Sequence, residues 1–301
     1  MLEHKRIIIT DMDDTLIKAY EQPTPETRDF WNTLKESTVR IIATGQTVAK
    51  TMNNLSKSNM DLPEFIIADQ GTVIYDTVNS RTIKEFVLPN DEVYEVLKQF
   101  YSLGGKDSFV RIGAGRVIIA YDFEQAHSFF ERTFQKDVVY VENMEYVIQH
   151  GRYLKVILMG EEKLVDELVR FSSGRNNLFA FNTGKTSFGD CGFNRFEIMA
   201  SDKYNAIKYL MDILGFEKFD VICLGDESSD LGLAKFALTM NLYENFKGTF
   251  AIISSNSHGN IQLKKECNEL ANVLGCSDKC KIYASITEDG WKAAVEEWLE
   301  Q

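Results

Sequence analysis

The residues best suited to chemistry stand near the start of the chain: Asp11, Asp13 and Asp14, directly after the run Ile7-Ile8-Ile9-Thr10. The β-branched run has the character of a buried strand. Carboxylates crowded at its end repel one another unless a cation or a role in phosphoryl transfer holds them there. Asp11 and Asp13 are two positions apart, so an extended chain turns both side chains to one side of the strand end. One carboxylate can attack phosphorus and form an aspartyl-phosphate. A second at that spacing can hold a proton for the leaving oxygen. Hard carboxylate oxygens also suit Mg²⁺, which keeps several waters and bridges to substrate phosphate. The plainer alternative is an acidic turn, since Asp is frequent in turns.

Three further segments repeat the pattern of a strand running into polar groups. Ile41-Ile42-Ala43 ends in Thr44-Gly45-Gln46-Thr47, where a hydroxyl and free amides at a helix start would bind phosphate. Here the alternative is Thr44 or Thr47 as an ordinary N-cap. Val221-Ile222-Cys223-Leu224 runs into Gly225-Asp226, with Asp230 four residues on at a predicted helix start. Gly225 is expected to let the backbone turn sharply beside Asp226, and Asp230 would suit the helix dipole in any case. Lys203, in Asp202-Lys203-Tyr204-Asn205-Ala206-Ile207, opens a helix with the wrong charge for its dipole. That conflict predicts an anion or the acidic cluster as its partner, against the alternative of a solvated surface lysine.

Strands are predicted at Ile7–Thr10, Val39–Ala43, Phe65–Ala68, Val221–Leu224, Thr249–Ile253 and Ile282–Ala284, and helices at Glu26–Lys35, Lys203–Leu214 and Asp289–Leu299. Strands alternating with helices imply an α/β fold with a parallel sheet. Open parallel sheets place their chemistry at the strand ends. The middle of the chain differs, with strands in adjacent runs: Phe109–Ile112 and Arg116–Tyr121 around Gly113-Ala114-Gly115, then Val138–Glu142, Tyr146–Gln149 and Tyr153–Met159. A helix at Glu161–Phe171 and strands at Phe179–Asn182 and Arg195–Met199 follow. This predicts an α+β module with an antiparallel sheet, residues 76–190, inserted into a parallel-sheet core made of residues 1–75 and 191–301.

In order and in context, strand–DxDxT, strand–TG, a helix-opening Lys and strand–GDxxxD resemble the haloacid dehalogenase-like phosphatase superfamily. The inserted module resembles the large α+β cap of its Cof-like, sugar-phosphatase branch, and the likeness spans nearly the whole chain. The resemblance implies a Rossmann-like core and a cap that closes and selects the substrate. It implies an Mg²⁺-dependent phosphomonoesterase acting on a small, sugar-like phosphorylated metabolite. Asp11 would be the nucleophile, and Asp13 the acid and then the base. Thr44 and Gly45 would bind the phosphoryl group, Lys203 would neutralise it and orient Asp11, and Thr15 would fix the first loop. Asp11, the Asp13 backbone carbonyl and Asp226 would hold the metal, with Asp230 in support. The chain departs from the branch pattern at Asp14 (usually Gly), Gln46 (often Arg) and Ser229 (commonly Asn). Loss of the positive charge at Gln46 is expected to alter substrate choice. A phosphomutase of the same superfamily, or a binding or regulatory relative with weakened turnover, is the alternative. Specificity positions are expected in Asn182-Thr183-Gly184-Lys185-Thr186-Ser187 and at Arg111, Arg116 or Arg195.

Bulk properties narrow the partners. A net charge of −12 over 301 residues argues against nucleic acid and anionic membrane surfaces, which require basic stripes. A bound cation and a local lysine can still admit an anionic substrate. No apolar run approaches membrane-spanning length, and Ile7–Ile9 is too short for the core of a signal peptide. Five scattered cysteines suit reduced thiols, so a cytoplasmic setting is expected. Cys267, Cys276 and Cys280 with His258 fit no short zinc-ligand spacing. Trp291 and Trp298 are expected in the core, and the oligomeric state is left open.

Overall fold

The computed structural model describes residues 5–18, 21–105, 108–112, 117–120, 138–140, 151–173, 175, 178–185, 194–255 and 257–301. The chain begins with β1 (Lys5–Thr10), α1 (Pro25–Leu34), β2 (Val39–Ala43), α2 (Val48–Lys57), β3 (Phe65–Ala68), β4 (Val73–Asp76) and β5 (Arg81–Glu85). There follow α3 (Asn90–Ser102), β6 (Ser108–Ile112), β7 (Val117–Ala120), β8 (Val138–Tyr140), β9 (Tyr153–Gly160), α4 (Glu162–Ser173), β10 (Phe179–Lys185) and β11 (Asn194–Met199). The last part holds α5 (Lys203–Leu214), β12 (Phe219–Gly225), α6 (Leu231–Met240), β13 (Phe246–Ile253), α7 (His258–Leu274), β14 (Cys280–Tyr283) and α8 (Gly290–Leu299). Two units result, Met1–Lys84 with Asp202–Gln301, and Glu85–Ser201. Among the described residues no helix is long and apolar enough to cross a membrane.

The first unit is built on a sheet of order β14-β13-β12-β1-β2-β3-β4-β5. Neighbours from β14 to β3 are parallel, and β4 runs antiparallel to β3. Ile7, Ile8 and Ile9 are wholly buried, as a strand covered on both faces requires. From β1 the chain builds outward, first through β2 and β3, and after the insertion through β12, β13 and β14 on the other side. That reversal is the switch point where open α/β sheets form their crevice. Register sets which residues meet there: Thr10 lies opposite both Ile42 and Leu224. Asp11, Ala43 and Gly225 therefore leave three adjacent strands at one level.

Against one sheet face pack α1 and α8. Thr24 caps α1 by accepting from the Thr27 amide at 3.1 Å, with Pro25 in the first turn. Trp31 and Trp291 meet with ring centroids 5.9 Å apart, and Trp298 is buried nearby, so both C-terminal tryptophans belong to the core. The Trp291 indole also donates to Thr10 Oγ1 at 3.0 Å, and that hydroxyl donates to the Asp11 carbonyl at 2.7 Å. The core thereby holds the end of β1.

The second unit is a sheet of order β10-β11-β9-β6-β7-β8, antiparallel except for the parallel pair β7–β8. Val93, Val96 and Phe100 of α3 and Val165 and Leu168 of α4 share a core with Val156, Leu158, Phe196 and Ile198. Glu197 is buried between Lys155 and Arg195 and pairs with both. Antiparallel pairing of β6 with β7 agrees with the predicted hairpin. Its turn Gly113-Ala114-Gly115, Arg116, Tyr121, Glu142 and the predicted strand Tyr146–Gln149 lie outside the described residues.

Both expected boundaries move. β5 completes the first sheet and β11 is an inner strand of the second, so the division falls near residues 85 and 201 rather than 75 and 190. Short strands do not announce their sheet: pairing register decides membership, and it joins β11 to β9 and β10.

Candidate active site

Lys203 opens α5 and is only 2% exposed. Asp202 caps the helix by accepting from the Asn205 amide at 2.8 Å. The Lys203 ammonium donates to Asp11 Oδ1 at 2.7 Å and to Asp230 Oδ1 at 2.6 Å. Burial by itself would lower the Lys203 pKa, but the two carboxylates outweigh it and raise the pKa above the usual lysine value. The dipole conflict read from the sequence is resolved by these two partners.

Asp230 also holds the loop before it. Its Oδ2 accepts from the backbone amides of Asp226 at 3.0 Å and Glu227 at 3.2 Å. It lies in a short 3-10 turn ahead of α6. A Cβ on Gly225 would fall 2.4 Å from the Asp230 Cβ and 2.7 Å from Oδ2. The glycine is thus required for close approach of the Asp230 carboxyl and not, as the sequence suggested, for a sharp turn. Its φ is not among the positive ones.

Asp226 Oδ1 accepts from Thr15 at 2.9 Å, which ties the first acidic loop to the third. Asn260 of α7 donates to the Asp226 carbonyl at 2.5 Å and to that of Ile253 at 2.9 Å. Carboxylate oxygens of Asp11, Asp226 and Asp230 lie within 4.8 Å of one another. Burial, then Asp230 and Asp11, push the Asp226 carboxyl up to about 9. Asp11 is also held well above the ordinary carboxylate value: burial raises it, Lys203 pulls it down, and Asp230 and Asp13 raise it again. Three buried acids facing one ammonium are short of positive charge. All-oxygen donors with that deficit fit a hard divalent cation, for which Asp11 and Asp226 offer free lone pairs. No such grouping forms around Cys267, Cys276 and Cys280 among the described residues.

The second loop stands beside the first. Thr47 is the N-cap of α2, accepting from the Lys50 amide at 3.0 Å. Thr44 does not cap the helix. It is buried, and its Oγ1 accepts from the Gln46 amide at 3.1 Å. Gln46 Nε2 donates to both Asp13 oxygens, at 2.8 and 2.7 Å. Asp69 and Gln70 brace this loop, their amides donating to the Gln46 carbonyl at 2.9 Å and the Thr44 carbonyl at 3.0 Å. Asp69, Gln70 and Gly71 all have positive φ, backbone strain of a kind that concentrates at functional sites. Gly71 is irreplaceable on space alone, since a Cβ would meet the Asp202 carbonyl at 2.3 Å.

A family model described as haloacid dehalogenase-like hydrolase matches residues 8–240. The chain belongs to that family. YxeH of Bacillus subtilis, a candidate phosphatase, is 23% identical over 241 residues, covering 77% of this chain and 84% of its own. TM0651 of Thermotoga maritima shares the fold with a TM-score of 0.70 at 17% identity, over 97% of each chain. The sugar phosphatase BT4131, of subclass IIB of the superfamily, gives a TM-score of 0.68 at 13% identity, over 98% of this chain and 99% of its own. This haloacid dehalogenase-like chain is an enzyme of the phosphatase kind.

Within that family frame, the departures have physical readings. Asp14 occupies a left-handed conformation (φ 58°), which suits glycine but which Asp tolerates better than most residues. Gln46, where the branch pattern often has Arg, donates its side-chain amide to Asp13. Ser229 lies in the 3-10 turn between Asp226 and Asp230. Sequence reasoning read Trp291 as core alone and gave no role to Asn54, Asn260 or the 69–71 turn. Only the last left a signal, a polar Asp-Gln-Gly directly after an apolar strand. Of the expected specificity positions, Asn182 donates to Asp166 of α4 at 3.0 Å and Arg195 pairs with Glu197. The Arg111 side chain, Arg116, Thr186 and Ser187 lie outside the described residues.

Proposed function

We propose that this enzyme is an Mg²⁺-dependent phosphomonoester hydrolase that acts on a small, sugar-like phosphate through an aspartyl-phosphate on Asp11. The observation that carries the reading is the Lys203 ammonium at 2.7 Å from Asp11 Oδ1, in a pocket of acids whose oxygens converge within 4.8 Å. An Asp11 oxygen attacks phosphorus while the bond to the leaving oxygen breaks, and Asp13 gives that oxygen a proton. Asp13 then takes a proton from water as the water attacks phosphorus, which frees phosphate and restores Asp11. Thr44 and Gly45 bind the phosphoryl group, and Lys203 balances its charge while orienting Asp11. Asp11, Asp226 and the Asp13 carbonyl would hold the metal, with Asp230 bracing Lys203 and the Asp226 loop. Bound there, the cation would offset charge on the transferring group.

The sugar-like substrate is supported by likeness in fold to BT4131, a sugar phosphatase. The inserted unit, Glu85–Ser201, is assigned to substrate selection on the same ground. Free Cys223, Cys267, Cys276 and Cys280 favour a cytoplasmic setting. The test is release of para-nitrophenol from para-nitrophenyl phosphate, followed by a panel of sugar phosphates. Release that requires Mg²⁺ and vanishes in Asp11→Asn is expected. Absence of release from any phosphoester in the panel would favour a binding role instead.

A further inference from the structure

Asp13 is half-buried, and both of its oxygens accept from one side-chain nitrogen, Gln46 Nε2. A carboxylate offers only acceptors, so the amide must present its nitrogen there and its oxygen on the far side. On that far side Asn54 Nδ2 donates to Gln46 Oε1 at 3.0 Å. The Gln46 backbone is held as well, its amide on Thr44 Oγ1 and its carbonyl on the Asp69 amide. Every polar atom of Gln46 thus has a partner, and the residue is only 8% exposed.

We propose that Gln46 is a positioning residue that holds Asp13 for proton transfer, and that Asn54, from α2, sets the direction of its amide. The inference rests on Asp13 being the acid and base of the proposed reaction. A guanidinium at this place would form a bidentate ion pair with Asp13. The neutral amide fixes the carboxyl plane without adding charge. When Asp13 carries a proton, one oxygen becomes a donor and the amide stays bonded to the other. That proton passes to the leaving oxygen, which keeps the electron pair of the broken P–O bond. The emptied carboxylate, still held by the amide, then collects a proton from water.

The test compares kcat/KM for phenyl phosphate and para-nitrophenyl phosphate with Mg²⁺ present. Phenolate is the more basic leaving group and depends more on a delivered proton. Gln46→Ala is expected to lose about tenfold on the nitrophenyl ester and about a hundredfold on the phenyl ester, the second at the lower end of the usual span of acid–base assistance. Asn54→Asp is the sharper variant, isosteric and partly exposed. Its carboxylate removes the donor to Gln46 Oε1, so the bond that sets the amide's direction is lost and no orientation of the amide satisfies both acids. It should reproduce the larger loss on the phenyl ester with an unchanged melting midpoint and unchanged Mg²⁺ affinity by calorimetry. Equal losses on both esters, or Asn54→Asp matching wild type, would overturn the inference alone. A wild-type enzyme that cleaves neither ester nor any other phosphoester overturns the phosphatase reading, and this inference with it.

Discussion

Replacing Lys203 with Met removes the ammonium from between Asp11 and Asp230 and keeps the side chain's length. The nitrogen lies 2.7 and 2.6 Å from their oxygens, and Asp230 is fully buried. Breaking a buried pair by deleting one partner costs about 3–5 kcal/mol, because the remaining charge stays in low dielectric. Here one deletion strips two carboxylates, so the upper end of that range is expected, a large share of the roughly 5–15 kcal/mol that holds a domain folded. The loss should depend on pH. Stranded carboxylates escape the penalty by taking protons, so the variant trails wild type more at about pH 8 than at about pH 5. Urea unfolding in EDTA, followed by circular dichroism at both values, measures this. Turnover should fall by about a hundredfold or more, since a fixed cation beside the transferring group is lost. A stability change below about 1 kcal/mol at the higher pH would refute the reasoning, because Lys203 would then not be neutralising buried charge.

Asp226 titrates near 9 in the folded chain against an ordinary 3.8, so the folded state binds its proton more tightly than the unfolded state does. That contribution to stability is complete below about pH 4 and is lost as pH rises toward 9. The melting midpoint of metal-free protein should therefore fall across this window, and Mg²⁺ should flatten the curve. A metal-free midpoint that climbs throughout would contradict the assignment. Gly225→Ala places a methyl against Asp230 and should cost about 1–3 kcal/mol in unfolding while lowering kcat, because Asp230 braces both Lys203 and the Asp226 loop. Unchanged stability and turnover would show that the loop yields without penalty.

The parts of the site that were legible in the sequence broke a local rule. A lysine at a helix start, and carboxylates crowded after apolar runs, are unfavourable without partners, and the fold supplies those partners. The parallel sheet, though not its strand order, followed from strands alternating with helices. Other features depend on contacts that local pattern does not encode. Trp291 reaches Thr10 and Asn260 reaches the Asp226 carbonyl because whole elements pack, while each side chain read alone is a core aromatic or a helix polar residue. Gly225 was legible as important but for the wrong cause, since its use is space for Asp230, which only the folded loop reveals. The edges of the inserted unit were misplaced because β5 and β11 look alike as isolated short strands, and only pairing tells their sheets apart.

In the proposed reaction Asp11 receives the phosphoryl group in a site completed by Lys203, Asp226 and Asp230. The most direct measurement is an acid quench during turnover of para-nitrophenyl phosphate with Mg²⁺, followed by mass spectrometry of the peptide spanning residues 7–18. A phosphoryl group on Asp11, absent without Mg²⁺ and absent in Asp11→Asn, is the predicted result. Steady turnover with the label on another residue, or with Asp11→Asn fully active, would contradict it.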